Sequence, residues 1–262
     1  MPFIQFQSKQ IHYTVTGKGG SVVLLHGFCE DSSMWNKFSQ DWAQQVITID
    51  LAGFGQSELV APFSMDLLAD MVKKVLEELK VERCILLGHS MGGYVGLAFA
   101  EKYADHLLGL GMIHSHPFAD SAAKKANRQK SINFISQNGT ILYVKQLIPQ
   151  LFAPNFVGSN DFLIHRLIFG ASKYSVEAIN ASLEAMMKRP DRTEVLKNIA
   201  CPVLFIIGKL DQVIPYERSG AQITMPNLSS VHILPKVGHM GTYESPRKTQ
   251  KIVRKFIEFC EA

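Results

Sequence analysis

Apolar residues along this chain fall into short dense runs separated by longer amphipathic stretches. Runs rich in Val, Ile and Leu, bounded by Gly or polar residues, cover residues 11–16, 22–26, 46–50, 84–88, 107–114, 203–208 and 231–234. Their length and composition predict β-strands. Several are apolar at successive positions, the pattern of strands covered by helices on both faces of a parallel sheet. The first two show alternation and are joined by the glycine-rich residues 17–20, which predicts an antiparallel lead-in.

Helical spacing fills the intervals. Over residues 64–80, Ser64 stands as a cap, Asp66 suits the positive helix end, and Leu67, Leu68, Met71, Val72, Val75, Leu76 and Leu79 form one stripe. A last helix over residues 247–260 turns Ile252, Val253, Phe256, Ile257 and Cys260 inward and its Lys and Arg residues outward. Between residues 117 and 193 the strand signal vanishes, and helix-like segments follow one another until alternation resumes at Cys201. The expected organisation is an α/β core made of residues 1–116 and 194–262, interrupted by a helical insertion at 117–193 over one sheet edge.

Composition narrows the classes. With 262 residues, 47% of them hydrophobic and 19% charged, the chain can bury a large core and is not disordered. The net charge of +4 is spread over solvated helix faces, so no nucleic-acid partner is expected. No apolar run is long enough to span a membrane and the N-terminus lacks a signal-peptide pattern, so a cytoplasmic location is expected. Cys29, Cys84, Cys201 and Cys260 are far apart with no C-x-x-C pair, which reads as reduced thiols rather than a metal or redox site.

Chemistry concentrates at the end of the 84–88 run. There Gly88-His89-Ser90-Met91-Gly92 joins a strand directly to a helical pattern. A turn that tight lifts one hydroxyl above the sheet and leaves no room for side chains two residues to either side, which accounts for Gly88 and Gly92 around Ser90. A serine needs a base, and the base needs an acid to fix its tautomer. Asp211 follows the 203–208 run and His239 follows the 231–234 run, so both lie at the same sheet edge as Ser90, in the chain order Ser, Asp, His. His26-Gly27-Phe28 ends another strand at that edge, and the Phe28 and Met91 amides are the expected oxyanion donors. His26 reads as a brace, His89 as pointing away from Ser90, and His12, His106, His165 and His232 as structural. His116, Phe152 and Phe156 are candidate pocket residues. The insertion's aromatic and aliphatic residues, including Phe134, Leu142, Phe162 and Phe169, are expected to form mostly its own core and in part an apolar pocket.

His26-Gly27-Phe28, the segment from Asp50 through Gly53 and Gly55 to Ser57, the Gly88–Gly93 elbow, Gly208 with Asp211, and Gly238-His239 together resemble the α/β-hydrolase superfamily over nearly the whole chain. The resemblance implies Ser90 as nucleophile, Asp211 as orienting acid, His239 as general base, and the inserted helices as a cap. Serine at the elbow separates the chain from relatives that use Asp there on carbon–halogen bonds or epoxides. Met91 separates it from prolyl iminopeptidase-like members, which usually carry Trp. The function expected is hydrolysis of small to medium, largely apolar carboxylic esters, with no metal or organic cofactor. Carbon–carbon hydrolysis of a diketone by the same triad, or a non-enzymatic ligand receptor, are the alternatives. The sequence leaves open whether the chain is a monomer or a homodimer.

Overall fold

The computed structural model describes residues 2–262. Among these, eight strands form one sheet in the order β1-β2-β4-β3-β5-β6-β7-β8. They are β1 (Phe3–Phe6), β2 (Lys9–Thr16), β3 (Ser21–Leu25), β4 (Gln45–Ile49), β5 (Cys84–His89), β6 (Leu107–Ile113), β7 (Val203–Gly208) and β8 (Ser229–Leu234). From β4 to β8 all neighbours pair in parallel; β2 pairs antiparallel with both β1 and β4, so β2 alone runs against the other strands. This is the α/β-hydrolase fold, a mostly parallel sheet flanked by helices.

The expected lead-in requires correction. β2 does not pair with β3, because β4 lies between them, antiparallel to β2 and parallel to β3. Burial explains the order. Val22, Val23, Leu24 and Leu25 are all fully buried, so β3 needs a strand on each side and a helical layer on each face, whereas β2 keeps both ends exposed and suits the sheet's margin. β1, too short and too polar to register as a strand run, adds the outermost edge.

Successive residues of the central strands feed opposite cores. Val23, Leu25 and Leu86 pack with α1 (Met65–Glu78) and α2 (Met91–Lys102), while Val22, Leu24, Ile85 and Leu87 face Trp35, Phe38 and α11 (Pro246–Glu261). On α1 the buried face is Met65, Leu68, Ala69, Met71, Val72, Val75 and Leu76, and Ser64 Oγ accepts the Leu67 amide at 3.0 Å. On α11 the inward residues include Ile252, Val253, Phe256 and Ile257.

Between β6 and β7 the chain is helical: α3 (Ala122–Asn138), α4 (Thr140–Gln150), α5 (Pro154–Val157), α6 (Asp161–Ala171), α7 (Val176–Lys188) and α8 (Thr193–Asn198). Aliphatic residues such as Ile135, Val144, Ile148, Ile164, Ile179 and Leu183 hold them together. Leu142, Phe162 and Phe169, which the sequence assigned to this interior, are instead exposed at 44%, 82% and 64%. No helix of the described residues is long and apolar enough to cross a membrane. The short helices α9 (Tyr216–Gly220) and α10 (Gly241–Glu244) follow β7 and β8.

Two substitutions on α1 separate its sources of stability. Leu68→Ala should cost about 2–5 kcal/mol through lost burial and a residual cavity, and Ser64→Ala about 1 kcal/mol through the lost cap. Urea unfolding of the two variants checks the ranking; equal losses would contradict it.

Candidate active site

The parallel strands end at one edge, and each end contributes a group. At the β5–α2 junction Ser90 adopts φ 50° and ψ −112°, a conformation strained for a residue with a side chain. The strain is held on both sides. The Ser90 amide donates to the Ile113 carbonyl at 2.9 Å, and its carbonyl accepts from the Gly93 amide at 3.0 Å and from Ser115 Oγ at 2.8 Å. A Cβ at Gly88 would lie 2.3 Å from the Gly92 backbone, and one at Gly92 would lie 2.5 Å from the Leu25 carbonyl oxygen. Both glycines are therefore required by backbone contact.

Ser90, Asp211 and His239 come together. Ser90 Oγ is 2.8 Å from His239 Nε2, and His239 Nδ1 is 2.7 Å from Asp211 Oδ2. Asp211 Oδ1 accepts the Val213 and Ile214 amides at 2.8 and 2.9 Å, which fixes the carboxylate. Burial opposes its ionisation, but the charge of His239 and the side chains of His114 and His239 outweigh it and hold Asp211 well below the usual carboxylate range. In this arrangement Asp211 stays an acceptor, Nδ1 carries hydrogen, and Nε2 is free to take the serine proton.

Several groups at this edge were not singled out from the sequence. Glu30 Oε2 accepts the Gly27 amide at 2.9 Å and lies 2.8 Å from His89 Nδ1, while His89 Nε2 donates to the His239 carbonyl at 2.9 Å. One buried chain thus joins the Gly27 loop to the backbone of His239. Burial works against both charges. Mutual attraction prevails, lowering Glu30 and raising His89. His89 accordingly points away from Ser90 but serves as a strut for His239. His26 braces the same loop, its Nδ1 bonded to the Gly27 carbonyl at 2.8 Å and its Nε2 accepting the Leu51 amide at 2.9 Å.

The inserted helices also grip this edge. The His239 amide donates to the Leu151 carbonyl at 2.7 Å, and Glu244 accepts the amides of Gly238, Met240 and Ala153. His114, with φ 48°, accepts the Gly241 amide on Nε2 at 3.2 Å, so its hydrogen sits on Nδ1, 3.7 Å from Asp211 Oδ2. A lone glutamate three residues after Gly27 and a histidine closing β6 were the available signals for two of these groups. Nothing in the sequence near Glu244 marked its role.

A cavity of about 260 Å³ opens over Ser90. Phe28 and His116 line it, and Met91, the first residue of α2, is fully buried beneath with its amide at the helix N-terminus. Phe152 and Phe156 are not among the described residues that line it, which corrects their assignment to the pocket. Their rings stack at 5.3 Å, and Phe152 also meets Tyr243, so they pack the joint between insertion and core. Nor is the cavity largely apolar. Beside Tyr94, Leu147 and Met186 it presents Glu30, Lys124, Asn127 and Arg128.

Ligand atoms of His114, Asp211 and His239 lie within 4.8 Å of one another, close enough to surround a metal ion. Most of their nitrogen and oxygen atoms are already engaged, His239 with Ser90 and Asp211, His114 Nε2 with Gly241, and Asp211 with His239 and two amides, while His114 Nδ1 has no hydrogen-bond partner among the described residues. The four cysteines are free thiols, with Cys29 and Cys84 buried; burial raises Cys84 to about 12. They offer no ready nucleophile.

The buried histidine beside Asp211 gives the fold a pH dependence. Burial, partly countered by Asp211, pushes His114 down to about 4, whereas a histidine in the unfolded chain takes its proton near pH ~6.5. The contribution is complete above that value and declines as the pH falls towards 4, by roughly 3 kcal/mol for this residue. Urea unfolding at about pH 7 and about pH 4.5 should show a smaller loss for His114→Phe than for the wild type. Equal losses would rule this source out.

The alpha/beta hydrolase family model matches residues 22–249. A 2-hydroxy-6-oxononadienedioate/2-hydroxy-6-oxononatrienedioate hydrolase of Pseudomonas putida is 26% identical over 94% of this chain and 91% of its own length. The structure of a thermophilic esterase from Thermogutta terrifontis, solved with malate bound, superposes with a TM-score of 0.92 at 28% identity, covering 97% of this chain and 95% of the other. An enol-lactonase from Burkholderia xenovorans LB400 shares the fold at a TM-score of 0.91 and 20% identity, over 98% of this chain and 100% of the other. With the family pattern spanning the sheet from β3 to the start of α11, the chain belongs to the alpha/beta hydrolase family and is a hydrolase.

Proposed function

We propose that the protein is a serine hydrolase of carboxylic esters, with Ser90 as nucleophile, His239 as general base and Asp211 as the group that holds its tautomer. The observation that carries this reading is the unbroken relay of 2.8 Å from Ser90 Oγ to His239 Nε2 and 2.7 Å from His239 Nδ1 to Asp211 Oδ2. As Oγ attacks the ester carbonyl, its proton passes to Nε2 and the carbonyl electrons move onto oxygen. The Phe28 and Met91 amides hold that oxyanion. Collapse expels the alkoxide, which takes the proton from Nε2, and leaves an acyl group on Ser90. Water, deprotonated by His239, then releases the acid. Residues 117–193 act as the cap over this site, and His116 as a wall of the pocket. The esterase neighbour at 28% identity adds support.

A second reading, carbon–carbon hydrolysis of a vinylogous diketone, is favoured by the curated relatives named as hydrolases of 2-hydroxy-6-oxo dienedioates, 26–27% identical over 94–95% of this chain. The same three side chains would serve it.

The decisive measurement pairs p-nitrophenyl esters of graded chain length and a ring-cleavage diketone with a fluorophosphonate probe. Wild-type protein should be labelled at Ser90, and Ser90→Ala should lose label and about ten-thousand-fold or more in ester turnover. Labelling elsewhere, or turnover that survives the substitution, would dismiss the nucleophile. A kcat/KM higher for the diketone than for every ester would favour the second reading, and a stable acyl adduct without turnover would favour a receptor.

A further inference from the structure

Two cations line the cavity over Ser90, and the one carboxylate bonded to either of them among the described residues is shared with a further arginine. The two are Lys124 and Arg128, one turn apart on α3. Nearby Asp120 is already used up: Oδ2 accepts from Arg128 Nε at 2.6 Å and Oδ1 from Arg189 Nη1 at 2.8 Å. Arg128 is thereby anchored through Nε, and its two Nη groups have no protein acceptor among the described residues. Lys124 has no carboxylate partner there either. Its Nζ makes one long contact, 3.4 Å to the Val213 carbonyl, in the loop that carries Asp211. Elsewhere the fold supplies such partners: Arg192, which is buried, is paired with both Asp66 and Glu101.

A second observation comes from His116. It is 6% exposed, lines the same cavity, and its Nδ1 has no hydrogen-bond partner, while Nε2 is 3.3 Å from Tyr94 Oη. Arg189 and Arg218 stand close by, and Arg218 Nε is also buried without a partner. A half-enclosed ammonium, a forked guanidinium and an unpaired imidazole nitrogen around one small space are matched by an anion with several acceptor atoms. Glu30, the one carboxylate among the described residues that lines the cavity, is not such a partner for the cations: its Oε2 is bound by His89 and the Gly27 amide, and its Oε1 makes no hydrogen bond to either of them. Burial, and next the charge of Arg128, lower the Lys124 pKa, as expected of an ammonium short of a counter-ion.

We propose that the site takes small esters whose acyl or alcohol part ends in a carboxylate, held by Lys124 and the Arg128 Nη groups while the ester carbonyl lies over Ser90. This rests on the serine hydrolase reading above and replaces the expectation of uncharged, apolar substrates. The cavity of about 260 Å³ limits the substrate to a short chain.

The test compares monomethyl glutarate with its neutral amide analogue, methyl 4-carbamoylbutanoate, by proton release. Wild-type kcat/KM should favour the acid by about tenfold or more, as charge-assisted hydrogen bonds allow. Lys124→Gln should bring that ratio close to one, and Lys124→Arg should retain most of it. Arg128→Gln should lower it too, although its bond to Asp120 makes Lys124 the cleaner variant. A ratio near one in the wild type, or a ratio that Lys124→Gln leaves unaltered, would overturn the proposal. Calorimetric titration of Ser90→Ala with glutarate and with inorganic phosphate separates this from the nucleophile assignment. Glutarate binding that Lys124→Gln weakens about tenfold or more supports the carboxylate subsite even if Ser90 proves not to be the nucleophile. Phosphate binding without glutarate binding, or no binding of either, would refute it even if Ser90 is labelled.

Discussion

The site hangs on one left-handed backbone turn, at Ser90. A non-glycine residue at φ 50° costs free energy that nothing local returns. The cost is met because β5 lies in the middle of the sheet, where β6 supplies the Ile113 carbonyl for the Ser90 amide and the following segment supplies the Ser115 hydroxyl for its carbonyl. Backbone contacts at Gly88 and Gly92 let α2 start immediately after the strand. The hydroxyl therefore stands where the strand ends, within reach of side chains arriving from β7 and β8.

Charge at this edge is buried and paired, which sets geometry more than it adds stability. Glu30 and His89 neutralise one another while each holds a different backbone segment, the Gly27 loop and the His239 carbonyl. Asp211 faces two imidazoles but makes a hydrogen bond with one, so His239 is oriented while His114 tunes the field from 3.7 Å. Along the cavity, by contrast, Lys124 is left without a carboxylate. The cavity thus combines a carboxylate paired with a histidine, at Glu30, and a cation without a carboxylate, at Lys124.

Much of the architecture was legible because it depends on local rules. The continuous apolar runs at 22–25 and 203–208 could belong only to strands buried on both faces, and they are. The stripe on α1 was buried as its period required. The three residues brought together at the sheet edge were readable because loops after parallel strands converge, whatever the distance in sequence. Pairing order was less legible: β2 and β3 carry no mark saying that a strand from residues 45–49 will enter between them. Phe152 and Phe156 were misread because an aromatic residue in a helical insertion satisfies a joint or a pocket equally well in sequence terms, and only packing against Tyr243 distinguishes them. Lys124 and Arg128 look like the solvated face of a polar helix until α3 is seen to turn them towards Ser90.

By itself the sequence determined the elements, the elbow around Ser90 and the strand ends carrying Asp211 and His239, since each follows from periodicity and from steric rules acting over a few residues. Tertiary structure alone decided which strands are neighbours, which carboxylates meet which histidines and which cations line the cavity. Those outcomes depend on through-space electrostatics and packing between segments as much as 150 residues apart, as in the bond from His89 to the His239 carbonyl, and no local pattern encodes them.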